Sequence, residues 1–173
     1  MTITEAIDLD IPQLNVLIER CYRGESSKQG WTSEADMLGG IRTNEELLKA
    51  EMTASGARFL KYTDEEGCIS GCVYTRLIPE EKKVYIGMLC VNPQIQAKGL
   101  GKQLMAAAEN IGLENGCTTA TIVVISRRTE LLAWYERRGY APTGEVQPFA
   151  AAGGIGDEKV ENLQLKTMAK LLQ

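Results

Sequence analysis

The feature that most constrains this chain is the run Gln96-Ala97-Lys98-Gly99-Leu100-Gly101, which lies between a strand-like segment, 84–91, and an amphipathic helix starting near Gly99. A glycine-rich turn from strand to helix aims several backbone N–H groups in one direction, and the helix adds the positive end of its dipole. Together these groups form an anion site suited to a phosphate or pyrophosphate. Glycines permit the approach because no Cβ shields the amides.

The rest of the chain supplies a frame for that turn. Residues 2–6 alternate and read as a short strand. Asp10 can cap a helix that has Pro12 in its first turn and an apolar stripe of Leu14, Leu17, Ile18 and Cys21. The segment 24–42 is polar, bears glycines and contains Trp31. Thr43-Asn44-Glu45-Glu46 reads as a second capping box, and Gly56 ends that helix. Strands follow at 58–63, 68–77 and 84–91, the last stopped by Asn92-Pro93. The helix after the glycine turn carries Leu100, Leu104, Ala107, Ala108 and Ile111 on one face. Residues 118–125 form an almost wholly apolar strand, expected to be buried on both faces. A short helix at 129–138, a strand from Tyr140, a flexible loop at 150–156 and a final strand at 161–172 complete the order. That order, β-α-α-β-β-β-α-β-α-β-β, predicts a single α/β domain over residues 1–173. The segment 161–172 is also open to pairing with another chain as an edge strand, which leaves monomer or homodimer.

Composition narrows the function. The 173 residues carry a net charge of −4, which argues against nucleic acid as a partner, since phosphate-dominated binding needs clustered Lys and Arg. No apolar run approaches the length needed to span a membrane. Met1-Thr2-Ile3-Thr4-Glu5 has neither a basic region nor an apolar core, so a cytoplasmic location is expected. There is no histidine, and the five cysteines form no C-x-x-C, so no metal site is expected. The cysteines read as small buried hydrophobes in a reducing compartment.

Further along stands Leu132-Ala133-Trp134-Tyr135-Glu136-Arg137-Arg138-Gly139-Tyr140. The glycine run resembles the acyl-CoA pyrophosphate loop of the GCN5-related N-acetyltransferase (GNAT) family, and this second segment resembles that family's "LYEKxGF" stretch. The specific likeness covers 84–140, while the first half is similar in element order only. The resemblance implies a GNAT-like mixed, mostly antiparallel central sheet flanked by helices. It also implies an N-acetyltransferase that uses acetyl-CoA as co-substrate and needs no metal. Its acceptor would be a small-molecule amine, an amino-acid derivative or a peptide amine.

The family likeness also implies site residues. Backbone groups of Leu89, Cys90 and Val91 would meet the pantetheine arm, and the amides from Gln96 through Lys102 would hold the pyrophosphate. Lys102 either adds charge there or is a surface helix lysine. Tyr135 matches the tyrosine that protonates the departing thiolate. With a thiol near ~8.5 and a tyrosine near ~10, full transfer is uphill by about 1.5 units, or ~2 kcal/mol.

The chain departs from the family pattern twice. Many members place an asparagine where Arg128 stands, and an arginine can reach a phosphate or the cofactor's amide-rich arm, or be exposed. Some members carry a general-base glutamate where Tyr85 stands. A base is needed because an alkylammonium with a pKa near ~10 is only about 0.1% neutral at pH 7. Glu25, Glu34 and Asp36 are the candidates, with Trp31 packing over the acceptor and Glu34 or Asp36 attracting its cationic amine. The stretch 150–156 is expected to form the opposite lip of the acceptor pocket. Cys90 lies near the implied thioester, but no histidine is present to ionise it and its strand is apolar, which disfavours covalent catalysis. Two rival readings are an acyl-CoA-binding regulatory module without turnover and a nucleotide-binding enzyme. The second lacks both G-x-x-x-x-G-K-[ST] and G-x-G-x-x-G.

Overall fold

Seven strands make one sheet, and α-helices cover both of its faces in a computed structural model that describes residues 2–96, 99–153 and 155–173. In chain order the elements are β1 (Thr2–Glu5), α1 (Ile11–Tyr22), α2 (Gly24–Ser27), β2 (Leu38–Gly39), α3 (Glu45–Thr53), β3 (Ala57–Thr63), β4 (Ile69–Ile78), β5 (Lys83–Val91), α4 (Leu100–Glu114), β6 (Thr119–Ile125), α5 (Thr129–Glu136), β7 (Ala141–Pro148), β8 (Asp157–Glu158) and β9 (Gln164–Leu171). The sheet order is β1-β3-β4-β5-β6-β9-β7. Among the described residues only β5 and β6 run parallel, so the sheet is mixed and mostly antiparallel as expected.

The chain adds α2 and a two-stranded β2–β8 ladder to the expected order. That ladder joins Leu38 to Glu158 and Gly39 to Asp157, so the loop after α2 is stitched to the loop before β9. The strand expected at 161–172 is not an edge. It lies between β6 and β7 with both sides paired, and the edges are β1 and β7.

Two capping assignments also change. Asp10 does not cap α1. Its carboxylate accepts the Ile7 amide at 2.8 Å and the Lys61 ammonium at 2.6 Å instead. Asn44 rather than Thr43 caps α3, accepting the Leu47 amide at 2.8 Å, while the Thr43 amide donates to Glu19.

The core divides along the sheet. Leu14, Leu17 and Ile18 of α1 and Leu48 of α3 pack with Cys72, Tyr74, Met88 and Cys90 on one face. Leu100, Leu104, Ala108 and Ile111 of α4 pack with Val73, Val84, Ile86 and Val91 on the other. Full burial of a side chain such as Leu104 is worth roughly 1.5–3 kcal/mol. Gly112 brings α4 against β5, because a Cβ there would sit 2.5 Å from Val84 Cγ1.

The switch of face along β5 positions the site. Val84 and Ile86 point to the α4 side, and strict alternation would send Met88 after them. Met88 and Cys90 instead point to the α1 side. The cause is a bulge, since the β4 register shifts between Cys72 and Tyr74, and Met88 takes φ 44°. A non-glycine residue in that left-handed region costs of order 1–3 kcal/mol. The strand bends where it would otherwise continue beside β6.

Candidate functional site

The parallel ladder joins Lys83, Val84 and Tyr85 to Thr119, Ala120 and Thr121, and then stops. Beyond it the two strands part, and two cavities lie along this end of β5. One, about 690 Å³, opens at the start of α4. The other, about 460 Å³, lies between β5, β6, α3 and the 149–155 loop. Tyr22, Leu89, Arg128, Leu131 and Tyr135 line both cavities and form the wall between them.

The larger cavity collects most of the sequence-derived anion site. Leu89, Cys90, Val91, Gln96, Gly99, Leu100, Gly101 and Lys102 all line it. Ala97 and Lys98 lie outside the described residues. Gly99 is the N-cap of α4 with φ 75°, a conformation that favours glycine, and no side chain caps the helix. The amides of the first turn therefore remain available to an anion. Lys102 is exposed at the mouth.

The open edge of β5 is covered by side chains. Tyr22 Oη donates to the Leu89 carbonyl at 3.1 Å, and Gln96 Nε2 donates to the Val91 carbonyl at 3.0 Å. Gln96 Oε1 also accepts the Trp31 amide at 3.0 Å, so this residue clamps the polar loop to the strand. The Val91 carbonyl also accepts the Cys21 thiol at 3.5 Å, whereas the Leu89 carbonyl keeps a second lone pair for a further donor.

Trp31 was expected to pack over the acceptor. It lies in the larger cavity, 6.5 Å from the Trp134 ring, and not over the smaller one. Arg138 stacks 3.3 Å over Trp134 and lines the same cavity. Neither Trp134 nor Arg138 was singled out by the sequence, although both stand within the Leu132–Tyr140 segment.

Tyr135 is buried in the dividing wall, with its ring edge-on to Trp134 at 5.0 Å and to Tyr140 at 5.7 Å. Burial pushes its pKa up to about 12, against a smaller opposing pull from Arg128. It therefore keeps its proton throughout the physiological range. Against a thiol near ~8.5, full transfer becomes uphill by about 3.5 units, or roughly 5 kcal/mol. At this site the phenol is better suited to donating a hydrogen bond to negative charge than to early proton release.

Glu34 and Asp36, the expected alternatives for attracting the amine, stand in different surroundings. Glu34 is buried, with Oε1 paired to Arg23 Nη1 and Oε2 to Arg128 Nη1 at 3.3 Å, so both oxygens are occupied. Asp36 is exposed, pairs with Lys28 at 2.9 Å and lines neither cavity. Glu25 is likewise exposed and pairs with Lys28 at 3.0 Å. Arg128 is not exposed. Besides Glu34 it donates to Thr32 Oγ1 at 3.0 Å, and Thr32 donates to Glu130 at 2.6 Å. The loop carrying Trp31 is thus fastened to the start of α5.

The smaller cavity contains Tyr85, as the sequence suggested, with Arg23, Arg42 and Glu51, which it did not. One Glu51 oxygen is buried without a partner, and burial raises its pKa while Arg42 pulls it back. Phe149, Ala152, Gly153 and Ile155 close one side, matching the lip expected at 150–156. Gly154 lies outside the described residues.

Cys90 is buried, 3.5 Å from Cys72. Its thiol is held well above the usual value. A hydrogen bond with Cys21 works downward, and a hydrogen bond with Cys72 together with burial works upward and prevails. It stays a thiol and is a poor nucleophile.

Known proteins share this fold. The profile described as the acetyltransferase (GNAT) family matches residues 17–140. An amino-acid acetyltransferase of Pseudomonas putida is 28% identical over 113 residues, which is 65% of this chain and 24% of that protein. The chain thus spans about a quarter of the length of the curated relatives it matches. The ribosomal-protein-S18-alanine N-acetyltransferase of Escherichia coli superposes with a TM-score of 0.72 at 14% identity, covering 99% of this chain and 94% of its own. A phosphinothricin acetyltransferase of Sinorhizobium meliloti, solved in complex with AcCoA, gives 0.71 at 16% identity over 99% of this chain and 88% of its own. At such identities these structures establish the fold. The profile spans well over half of the sequence and includes the strand, the glycine turn and the Tyr135 helix, so the chain belongs to the GNAT acetyltransferase family.

Proposed function

We propose that this protein is an acetyl-CoA-dependent N-acetyltransferase that moves an acetyl group to a small amine, an amino-acid derivative or a peptide amine by direct attack. The observation that carries the reading is the shared wall. Tyr135 and Leu89 line both cavities, so a thioester held in the larger one meets an amine held in the smaller one. The uncapped first turn of α4 holds the pyrophosphate, and the β5 edge at Leu89, Cys90 and Val91 meets the pantetheine arm. Both oxygens of Glu34 are already engaged, which leaves Glu51 as the carboxylate in the acceptor cavity free to accept the amine's proton. The attacking nitrogen forms the C–N bond, the C–S bond breaks, and Tyr135 donates a hydrogen bond to the developing thiolate. No acyl-enzyme forms, in keeping with the neutral, buried Cys90.

Thermal unfolding in the presence of acetyl-CoA, CoA, ATP and NAD in parallel tests the cofactor. Saturation at one hundred times Kd stabilises a fold by about 2.7 kcal/mol, a rise in Tm of roughly 5–10 °C at this size. A shift with acetyl-CoA and CoA alone supports the reading. A shift with ATP or NAD instead, or with none of the four, contradicts it. Acetyl-CoA binding without CoA release on any amine would favour a regulatory binding module.

A further inference from the structure

The acceptor cavity has an excess of positive charge. Its ionisable wall consists of Arg23, Arg42 and Arg128 against Glu34 and Glu51, alongside the tyrosines. Glu34 neutralises only one of the two arginines that grip it. Arg23 is 6% exposed and Arg128 8%, so the remaining charge is held out of water. A buried, uncompensated guanidinium is costly, and a ligand anion removes that cost.

The donors are incompletely used as well. Arg23 Nη2 donates to the Ile155 carbonyl at 2.7 Å, and Arg128 Nη2 donates to Thr32. The Nε of each arginine is buried and has no partner among the described residues. A buried donor left unmade costs about 1–3 kcal/mol. Arg42 lines the same cavity, its guanidinium carbon 5.3 Å from the Tyr22 ring, and forms no ion pair among the described residues. Arginine's planar fork suits a carboxylate or another oxyanion.

We propose that the acceptor is a small amine that also carries a carboxylate or similar oxyanion, of the amino-acid type, with its anionic group held by Arg23 and Arg128 and its amine facing Tyr135. The proposal rests on the acetyl-transfer reading above and narrows its acceptor. Arg128 belongs to the dividing wall with Tyr135, so an anion bound there keeps a neighbouring amine close to the point of transfer. A cavity of about 460 Å³ is of small-molecule size. Polyamines, with several positive charges and no anion, meet like charge at this wall.

The test is calorimetric titration of the CoA-saturated protein with three ligand sets: the common L-amino acids, their α-carboxamides, and the corresponding amines lacking the carboxyl group. At least one amino acid should bind, and at least tenfold more tightly than its amide or its decarboxylated amine. The unmutated protein gives this comparison, so it does not depend on a variant folding. Equal or tighter binding of the amides and amines overturns the proposal, as does failure of every amino acid to bind. The readout does not require turnover. An acid that binds but releases no CoA from acetyl-CoA contradicts the transfer reading and leaves the anion site standing. Release driven equally by acids and neutral amines does the reverse.

Discussion

Glu34 and Arg128 lie 94 residues apart and meet in a buried ion pair at 3.3 Å, with Arg23 completing the other side of the carboxylate. This contact fixes the polar loop after α2 against the helix that carries Tyr135. It makes Glu34 a structural residue of the cavity wall, and its replacement should be felt first in stability. Removing one member of a buried pair costs about 3–5 kcal/mol. Glu34→Gln should therefore lower Tm by roughly 10 °C, whereas Asp36→Asn, at an exposed pair, should leave Tm unchanged. Side-by-side thermal unfolding checks this, and equal effects from the two variants would count against it.

The helix start should be sensitive to bulk. A Cβ on Gly101 would lie 3.7 Å from Trp134 Cζ2 and 3.9 Å from Val91 Cγ2, ordinary contact distances that the fold accepts. The two methyl groups of Gly101→Val, however, would crowd the amides at the α4 N-terminus. Kd for CoA should rise at least tenfold with little change in Tm. Fluorescence or calorimetric titration measures the first and thermal unfolding the second, and unaltered CoA affinity would remove this turn from the binding site.

Tyr135 should leave a signature at alkaline pH. Its folded pKa of about 12 lies above the unfolded value near ~10, so the native state holds the proton more tightly. Its share of stability is fully present below pH 10 and is lost as pH rises toward 12. Two units correspond to about 2–3 kcal/mol. Tyr22, Tyr74, Tyr85 and Tyr140 are raised too, so the protein as a whole should weaken in this window. Tyr135→Phe should weaken less steeply. Unfolding free energies of both proteins across pH 9–11.5 decide it, and parallel slopes would refute the assignment.

Cys90 should not carry the acetyl group. Intact-protein mass spectrometry under single-turnover conditions should find no acetyl adduct, and an adduct on Cys90 would overturn direct attack.

The sequence was most legible where local rules act. The glycine turn, the apolar face of α4 and the Leu132–Tyr140 segment located the larger cavity, because helix starts and strand ends obey short-range chemistry. The smaller cavity was largely illegible. Arg23, Arg42 and Glu51 come from three separate stretches of the first half, and no periodicity announces that they share a wall. The place of Trp31 in the larger cavity was illegible because it depends on Gln96, a partner 65 residues away. The bulge at Met88 reverses the facing of β5, and only the isolated Gly87 beside it, inside an apolar strand pattern, hints at the irregularity. Strand 161–172 looked like an edge because pairing order, unlike strand content, is set by contacts distant in sequence.

The most direct test of the account is amine-dependent release of CoA thiol from acetyl-CoA, followed for the unmutated protein and for Tyr135→Phe. Steady release with a suitable amine is expected. Tyr135→Phe should bind acetyl-CoA with unchanged affinity while kcat falls at least tenfold. Undiminished kcat in Tyr135→Phe would remove the residue from the chemistry, and no release with any amine would contradict acetyl transfer itself.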